Sequence, residues 1–370
     1  MKYYIIAGEA SGDLHGSNLM KALQHVDVDA DFRFWGGDLM QHVGGTLVKH
    51  YRELAFMGFA EVIMNLRTIT KNLSFCKEDI ENYKPDLIIF IDYPGFNLRI
   101  AKWAKQKNIK THYYISPQIW AWKENRIKSI KRDVDDMSVI LPFEKDFYEK
   151  KHNYPVNFVG HPLIDAIADR IQVDEREFKT LHGLSDKPII ALLPGSRKQE
   201  IRKMLSIMLS ILSDFPDHQF VIAGAPSQDY SFYSPFITNP DVHFISNKTY
   251  DLLSISTAAL VTSGTATLEA ALFKVPQVVC YKGGWISYQI GKRVVNLEYI
   301  SLVNLIMDRE VVKELIQDEF NTKNLNQELS KILDEFERTE FFINYYELEK
   351  KLGGKGASDK TAEIIFKSLS

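Results

Sequence analysis

The segment Ala258–Tyr281 carries side chains suited to holding a charged ligand. An apolar run ending at Val261 predicts a buried strand, and small, hydroxyl-bearing residues separate it from a helical pattern that begins near Ala266. Backbone N–H groups and the positive end of the helix dipole meet at such a turn, so a phosphate is favoured there. Gly264 would let the phosphate approach the backbone closely. Three hydroxyl groups add hydrogen-bond donors: Ser263, Thr265 and Thr267.

Glu269 lies in the same predicted helix and has two interpretations. A capping box would need Ser or Thr three residues earlier, but position 266 is alanine, so this structural role is weakened. A simple interaction with the helix dipole remains open. The functional interpretation is a carboxylate that accepts hydrogen bonds from the two hydroxyls of a ribose, beside phosphates held by the preceding turn.

Asp92 stands at the end of another predicted strand. The run Asp86–Ile91 is apolar after its first residue, and a turn with Pro94 and Gly95 leads from Asp92 into a helix that ends near Gln106. Because ligands of open α/β sheets bind outside the carboxyl ends of the strands, a carboxylate here predicts a general base. The alternative is a turn aspartate, which the neighbouring proline and glycine favour.

Arg197 closes the exit turn of a strand predicted over Pro188–Leu193, just before a helix that starts at Lys198. A guanidinium in this position could clamp the diphosphate of a leaving group. The charge that develops on such a group must be neutralised, and no metal-binding motif is evident in the sequence to do so. The alternative is a solvent-exposed arginine in the first helical turn, which the helix dipole mildly disfavours.

The first predicted strand, Lys2–Ala7, is followed by the turn Gly8–Asp13 and a helical pattern to Leu23. The turn matches neither GxGxxG nor a P-loop, so dinucleotide or ATP binding has little support. Glu9 and Asp13 would repel a pyrophosphate, whereas a hydroxyl-rich ligand would suit them. The alternative is a plain strand-to-helix turn in which Asp13 caps the helix.

Three further features each have a functional and a structural interpretation. Trp120 and Trp122, in a loop after a predicted strand, either wall a sugar or lipid pocket or simply pack. Leu54–Phe75 is rich in large apolar residues and is either a core helix or an apolar surface for acyl chains or a membrane face. His161 either contacts phosphate or shuttles a proton, or it is structural.

The composition is that of a soluble globular chain with two domains. Of the 370 residues, 45% are hydrophobic and 25% charged, and the net charge of −3 gives no general attraction to nucleic acid. Cys76 and Cys280 are far apart, which favours a reducing compartment over a disulfide framework. Three Asp-x-Asp pairs precede predicted strands, away from the ligand-binding edge, so we expect no metal site at them: Asp27/Asp29, Asp29/Asp31 and Asp133/Asp135. We also expect no signal peptide and no transmembrane helix.

Strands and helices alternate through most of the sequence, which predicts an α/β fold of parallel sheets. We expect two Rossmann-like domains that face a cleft, with a helical C-terminal tail, the GT-B plan of glycosyltransferases. The predicted boundaries are 1–165 for the N-terminal domain and 166–340 for the C-terminal domain. The tail, 341–370, should pack on the N-terminal domain or on a partner chain. Beyond residue 306 we expect only helices.

The chain resembles the lipid-A-disaccharide synthase family, glycosyltransferase family 19, over nearly its whole length. Eight short motifs in the same order carry this resemblance: AGEASGD (Ala7–Asp13), MGFAEV (Met57–Val62), IDYPGFN (Ile91–Asn97), SPQIWAW (Ser116–Trp122), GHPL (Gly160–Leu163), LLPGSR (Leu192–Arg197), TSGTATLE (Thr262–Glu269) and SLVNL (Ser301–Leu305). Val303 departs from the proline that is usual in the family. Arg67 and the residues after it also replace a segment that usually contains proline.

The resemblance implies an inverting glycosyltransferase of lipid A biosynthesis, with an acceptor-binding N-terminal domain and a UDP-sugar-binding C-terminal domain. The donor would be UDP-2,3-diacylglucosamine and the acceptor 2,3-diacylglucosamine 1-phosphate, and the products the β-1,6-linked disaccharide 1-phosphate and UDP. It also implies a cytoplasmic protein attached peripherally to the inner face of the inner membrane of a Gram-negative bacterium, and a possible homodimer. The alternatives are an isomerase like UDP-N-acetylglucosamine 2-epimerase and a nucleotide-sugar-binding protein without turnover. We expect no cofactor or metal, and no nucleic-acid partner.

The residue roles follow the turns and the resemblance together. Asp92 is predicted to be the general base and Arg197 to stabilise the leaving diphosphate, and these two are the catalytic candidates. The predicted donor-binding residues are Ser196, Ser263, Gly264, Thr265, Thr267, Glu269 and Asn304. The predicted acceptor-binding residues are Glu9, Ser11, Gly12, His15, Gln118 and Trp120.

Overall fold

The structure, a computed structural model, describes residues 1–54, 66–225, 228–283 and 298–369. It divides into two compact units, of which the first comprises Met1–Ala168 and Leu352–Ser370 and the second Asp169–Lys351. The MGFAEV motif (Met57–Val62) lies outside the described residues. The segment Trp285–Val295, whose sequence predicts an amphipathic helix, lies outside them too. So do residues 55–65 of the apolar segment Leu54–Phe75.

The first unit contains a seven-stranded parallel sheet with the strand order β3-β2-β1-β4-β5-β6-β7. Helices connect consecutive strands, as parallel pairing requires. The strands are β1 (Lys2–Ala7), β2 (Asp31–Gly36), β3 (Thr46–His50), β4 (Leu87–Ile91), β5 (Thr111–Tyr114), β6 (Asp136–Val139) and β7 (Asn157–Phe158). The helices are α1 (Ala10–Val26), α2 (Asp38–Val43), α3 (Leu66–Tyr83), α4 (Pro94–Gln106), α5 (Ile127–Asp133), α6 (Pro142–Asp146) and α7 (Pro162–Ala168).

The second unit contains a six-stranded parallel sheet in the order β10-β9-β8-β11-β12-β13. Its strands are β8 (Ile189–Leu193), β9 (Gln219–Gly224), β10 (Val242–Ser246), β11 (Ala258–Thr262), β12 (Gln277–Tyr281) and β13 (Lys313–Ile316). Its helices are α8 (Glu175–Leu181), α9 (Lys198–Met208), α10 (Tyr230–Tyr233), α11 (Thr249–Ser254), α12 (Thr265–Leu272), α13 (Leu302–Met307), α14 (Thr322–Leu333) and α15 (Glu335–Lys351).

Central strands are buried on both faces, which explains their uninterrupted apolar sequences. β4 reads LIIFI and β11 reads AALVT, and every residue of both strands is buried. Side chains of a parallel strand alternate between two faces that are each covered by helices, so neither face of these strands selects polar residues. This confirms the predicted strands and the α/β class with two Rossmann-like parallel sheets.

Two edge strands were not predicted. β3 was overlooked, and β13 contradicts the expectation that only helices follow residue 306. Both are short and partly exposed, and both mix charged with apolar residues: β3 reads TLVKH and β13 reads KELI. An edge strand gains pairing on one side only and lacks the continuous apolar run that marks a central strand.

The C-terminal segment is divided between the two units. Helix α15 belongs to the second unit, and the chain returns to the first unit at Leu352, where helix α16 (Ala357–Leu369) packs against α1. The carboxylate of Asp165 accepts hydrogen bonds from the backbone N–H groups of Gly356 (2.7 Å) and Ser358 (3.1 Å) at the start of α16. The second contact satisfies an N–H group that a helix cannot satisfy itself.

Within the described ranges, no helix has the length and apolar character needed to cross a membrane.

Candidate functional site

The sheet order places the predicted turns at two topological switch points. In the first sheet the strand order reverses between β1 and β4, whose exit turns contain Glu9 and Asp92. In the second sheet it reverses between β8 and β11, whose exit turns contain Arg197 and Gly264. Ligands of doubly wound sheets bind in the crevice at such points, outside the carboxyl ends of the strands. Each unit therefore has its own candidate site, built from two of the predicted turns.

Asp92 is held in a strained turn by contacts to its backbone. Asp92 and Tyr93 have positive φ angles of 44° and 48°, a region that non-glycine residues seldom adopt. The carbonyl oxygen of Asp92 accepts hydrogen bonds from the Tyr113 hydroxyl at 2.6 Å and from Asn97 Nδ2 at 2.8 Å. These contacts stabilise the turn. Asp92, whose carboxylate is half-buried, lies before the helix that begins at Pro94. The strain is located at the predicted catalytic residue.

The surroundings of Asp92 suit a general base. Burial raises the pKa of its carboxyl group to about 6, and the negative charge of Glu9 adds to this effect. A hydrogen bond from the backbone of Tyr93 acts in the opposite direction. A base whose pKa lies near neutrality is deprotonated at pH 7 and still has a useful affinity for a proton. The structure thus provides a physical reason for the predicted chemistry at this carboxylate.

The turn after β1 places its predicted residues in different environments. Glu9 is the N-cap residue of α1 and, like Ser11, is exposed, whereas Gly12 and His15 are buried. Burial lowers the pKa of His15 to about 4, so its ring is neutral at pH 7. A side chain at Gly8 would overlap the ring of Tyr93, which explains the glycine at the start of this turn. The exposed pair can contact a ligand directly, and the buried pair shapes the turn behind it.

Asp13 caps a different helix from the one that the sequence suggested. It does not cap α1, where Glu9 occupies the N-cap position, but instead caps the next helix, α2. Its carboxylate accepts hydrogen bonds from the backbone N–H groups of Gly37, Leu39 and Met40 at 2.8–3.0 Å. Three backbone N–H groups at the N-terminus of α2 thus bind this buried carboxylate, and its negative charge complements the positive end of the helix.

His161 is buried and neutral. Burial lowers its pKa to about 3, with a smaller contribution from His15. Its Nδ1 accepts a hydrogen bond from the backbone N–H of Leu163 at 3.2 Å, and its own backbone N–H donates to the Leu352 carbonyl at 3.0 Å. These contacts give His161 a structural role at the start of α7 and next to the returning C-terminal segment.

The loop of residues 116–122 presents Gln118 and partly covers Trp120. Gln118 is exposed, and Trp120 is half-buried, with its ring edge-on to Phe143 at a centroid separation of 4.8 Å. The indole N–H of Trp120 donates to the Glu144 carboxylate at 3.2 Å. Trp120 therefore packs and also borders the loop surface, whereas Trp122 is exposed, with Lys123 lying over its ring.

In the second unit, the hydroxyl groups of the turn after β11 differ in their exposure and hydrogen bonding. Gly264 has φ 149° and is exposed, as is Thr265 at the start of α12. The hydroxyl of Ser263 donates to the Ile300 carbonyl at 2.8 Å, and that of Thr267, which is fully buried, donates to the Gly264 carbonyl at 2.8 Å. Thr267 and Ser263 thus stabilise the turn, and the exposed Gly264 backbone and Thr265 hydroxyl are placed to meet an anion.

Glu269 lies one turn further along α12, where Tyr250 contacts it. The Tyr250 hydroxyl donates to Glu269 Oε1 at 3.1 Å. Burial raises the pKa of the Glu269 carboxyl group, and the hydrogen bond from Tyr250 acts in the opposite direction. The contact fixes one carboxylate oxygen of this half-buried side chain. A ribose diol, which donates two hydrogen bonds, would compensate its burial further.

Arg197 is exposed at the N-cap position of α9. The preceding Gly195 has φ 100°, and a side chain there would overlap Glu200, so glycine is required for this turn. The neighbouring Ser196 is also exposed. The turn therefore displays a guanidinium beside the N-terminus of an eleven-residue helix, a combination that favours a phosphate.

Asn304 is fully buried and its amide is used within the protein. Its Nδ2 donates to the Val312 carbonyl and the Glu314 carboxylate at 2.8 and 2.9 Å. Its Oδ1 accepts from the backbone N–H groups of Val311 and Val312 at 2.7 and 2.9 Å. The side chain thus joins α13 to the segment that enters β13, and any effect on a donor would be exerted through the loop it holds.

Three residues that support these candidate sites were not predicted from the sequence. Tyr113 donates a hydrogen bond to the backbone of Asp92, the predicted base, and Tyr250 donates one to Glu269, the residue predicted to bind ribose. Glu144 accepts a hydrogen bond from the loop of residues 116–122. Tyr113 lies near the end of β5, which pairs with the strand that precedes Asp92. A prediction of the strand order would therefore have placed Tyr113 near Asp92. For Tyr250 and Glu144 the sequence contains no comparable signal, because their partners are brought near by the fold.

Comparison with known proteins identifies a family. A family model described as lipid-A-disaccharide synthetase matches residues 3–365. The chain is 38% identical over 373 residues to the lipid-A-disaccharide synthase of Geobacter metallireducens, a match that covers 99% of this chain and 96% of the relative. It is 37% identical over 366 residues to that of a Coxiella burnetii strain, covering 98% and 96%.

Solved structures share the fold at much lower identity. The complex of a Neisseria meningitidis UDP-GlcNAc 2-epimerase with UDP-GlcNAc superposes with a TM-score of 0.66 at 15% identity, covering 100% of this chain and 99% of the other. The calicheamicin glycosyltransferase gives 0.60 at 15% identity, covering 100% and 98%. These similarities support the GT-B fold alone, whereas the family model and the close relatives bear on function. The chain belongs to the lipid-A-disaccharide synthetase family.

Proposed function

We propose that this chain is an inverting glycosyltransferase that transfers 2,3-diacylglucosamine from its UDP derivative to 2,3-diacylglucosamine 1-phosphate. The products are the β-1,6-linked disaccharide 1-phosphate and UDP. Membership of the family supports the reaction class. The single structural observation that carries the mechanism is the carboxylate of Asp92, with its raised pKa, at the switch point of the first sheet.

Asp92 acts as the general base. As the 6-hydroxyl oxygen of the acceptor attacks the anomeric carbon of the donor, its proton passes to the Asp92 carboxylate. The new bond forms on the face opposite the leaving group, and the electron pair of the broken bond stays on the diphosphate oxygen of UDP. A single displacement of this kind inverts the anomeric configuration and needs no covalent enzyme intermediate.

The second unit holds the donor. The exposed Arg197 guanidinium neutralises charge that develops on the diphosphate, and Ser196 accompanies it at the same turn. The Gly264 backbone and the Thr265 hydroxyl contact phosphate oxygens, while Glu269 accepts hydrogen bonds from the ribose. We assign three residues to the support of this surface, because their side chains bind other parts of the unit: Ser263, Thr267 and Asn304. In this proposal Arg197 and backbone N–H groups replace a metal ion.

The first unit holds the acceptor. Glu9 and Ser11 are exposed at the same switch point as Asp92 and suit the hydroxyl groups of a sugar, and Gln118 and Trp120 border the surface from the next loops. Gly12 and His15 shape the turn from beneath. Because both substrates carry acyl chains, we also propose peripheral attachment to the inner face of a Gram-negative inner membrane. On the family resemblance alone, we further propose a homodimer.

The first experiment measures UDP release from UDP-2,3-diacylglucosamine in detergent micelles, with and without 2,3-diacylglucosamine 1-phosphate. We expect release that depends on the acceptor, together with a disaccharide product of inverted configuration. Release without acceptor, or a changed sugar without a disaccharide, would instead support a hydrolase or the epimerase alternative. Binding of the donor with no reaction in acyl-matched substrates would support a binding protein.

A further inference from the structure

We propose that Glu144 is a positioning residue that holds the loop of residues 116–122 in the conformation that binds the acceptor. The inference rests on the proposed function, because that function assigns Gln118 and Trp120 of this loop to the acceptor. Glu144 lies on α6, in the connection that follows β6, and does not itself face the solvent.

The Glu144 carboxylate joins two neighbouring strand exits. Its Oε1 accepts hydrogen bonds from the Ser116 hydroxyl at 2.8 Å and the Trp120 indole N–H at 3.2 Å, both in the loop after β5. Its Oε2 accepts from the backbone N–H groups of Ile140 and Leu141 at 3.1 and 2.9 Å, after β6. Oε2 thus fixes the carboxylate to the exit of β6, and Oε1 fixes the loop after β5 to the carboxylate.

The hydrogen bonds explain how a carboxylate is tolerated at 1% exposure. Burial raises the pKa of Glu144, and the contacts from Leu141, Ser116, Ile140 and Trp120 act in the opposite direction. A buried carboxylate is costly unless donors surround it, and here four donors do so. Capping of α6, in which Oε2 accepts from the Leu141 backbone N–H, does not account for the contacts that Oε1 makes to the loop.

The positions of the two loop donors point to a role beyond packing. Ser116 and Trp120 stand two residues before and two residues after Gln118, which is exposed. Between them, the Pro117 carbonyl accepts a hydrogen bond from the Tyr148 hydroxyl at 3.2 Å. Hydrogen bonds thus fix the loop on both sides of Gln118, while Gln118 itself faces solvent. Through this arrangement Glu144 orients Gln118 and the Trp120 ring without contacting the ligand.

The test compares Glu144→Gln with Asp146→Asn, a matched control on the same helix. Asp146 is exposed and pairs with Lys150 one helical turn away, so its substitution should leave all kinetic constants unchanged. In Glu144→Gln an amide nitrogen, which cannot accept hydrogen bonds, replaces one carboxylate oxygen, so the donors of one strand exit lose their acceptor. We expect kcat/KM for the acceptor to fall about tenfold or more, with the KM for the donor within about twofold of wild type.

A milder variant keeps the test valid if Glu144→Gln fails to fold. Ser116→Ala removes one donor and leaves the carboxylate in place, so we expect a fall of about threefold in kcat/KM for the acceptor. Unchanged acceptor kinetics in a folded Glu144→Gln protein, or equal losses for donor and acceptor, would overturn the inference.

Hydrogen–deuterium exchange separates this inference from the proposed function. Exchange in peptides covering residues 116–122 should rise in Glu144→Gln and stay at the wild-type level in Asp146→Asn. If wild type shows no acceptor-dependent UDP release, the proposed function fails, and the exchange result still tests the positioning of the loop. If wild type is active but exchange in the loop is unchanged by Glu144→Gln, the positioning role is wrong.

Discussion

The turn after β4 and the turn after β11 have the same place in their sheets and opposite chemistry. Both follow a fully buried central strand at a switch point and both lead into a helix. In the first, the positive φ angles fall on Asp92 and Tyr93, and a carboxylate stands at the exit. In the second, the positive φ falls on Gly264, and hydroxyl groups surround it.

The difference shows how one topology can provide either a base or an anion site. A residue other than glycine in the left-handed region costs about 1 kcal/mol or more, and the cost persists only where surrounding contacts impose the conformation. Tyr113 and Asn97 impose it at Asp92 by binding the backbone carbonyl. Gly264 adopts its conformation without a Cβ atom, which leaves its backbone open to a phosphate.

The largest effect is expected for Asp92→Asn, which keeps the shape of the turn and removes the base. We expect kcat to fall about 10³-fold, within the range that general bases contribute. The assay is UDP release at saturating substrates. Asp86→Asn is the matched control, because Asp86 is an exposed carboxylate just before the opposite end of the same strand and accepts a hydrogen bond from the Lys2 backbone N–H. Similar losses in both variants would show that the assigned role is wrong.

Arg197→Ala tests the anion side of the comparison. Loss of one charged donor to the leaving diphosphate should lower kcat about 10²-fold. Arg202→Ala, which removes an exposed arginine from the same helix, should leave kcat near wild type. Near-wild-type turnover in Arg197→Ala would remove this residue from the mechanism and would leave the turn after β11 as the principal phosphate site.

Glu269→Gln and Tyr250→Phe test whether the second unit binds the ribose of the donor through Glu269. Replacing the carboxylate removes a strong acceptor for the ribose hydroxyls, so the KM for the donor should rise about tenfold. Tyr250→Phe leaves the carboxylate in place and removes the 3.1 Å contact, and we expect a rise of about threefold. The KM for the acceptor is the internal control, and an equal change in it would argue against ribose recognition.

The smallest effect concerns the pH dependence of the first unit. Because Asp92 must be deprotonated to act, kcat/KM should rise with pH and level off above its pKa of about 6. In Glu9→Gln a nearby negative charge is lost, the carboxylate of Asp92 is easier to form, and its pKa falls. The acid limb of the profile should therefore move to lower pH, and a shift to higher pH would contradict this electrostatic account.

The central strands and the polar residues at their ends could be identified from the sequence. Runs such as LIIFI and AALVT are typical of strands that are buried on both faces, and the polar residues that follow them are visible without coordinates. The edge strands β3 and β13 were missed because they are partly exposed and carry mixed residues. Their pairing depends on neighbouring strands more than on their own composition.

The hydrogen-bond partners of the polar side chains are visible only in the tertiary structure. Thr267 and Asn304, which were predicted to bind the donor, form hydrogen bonds with Gly264 and with the segment Val311–Glu314. Tyr250 and Glu144 acquired roles because the fold brings them to Glu269 and to the loop after β5. Hydrogen bonds between distant residues depend on strand order and helix packing, which no local sequence pattern specifies.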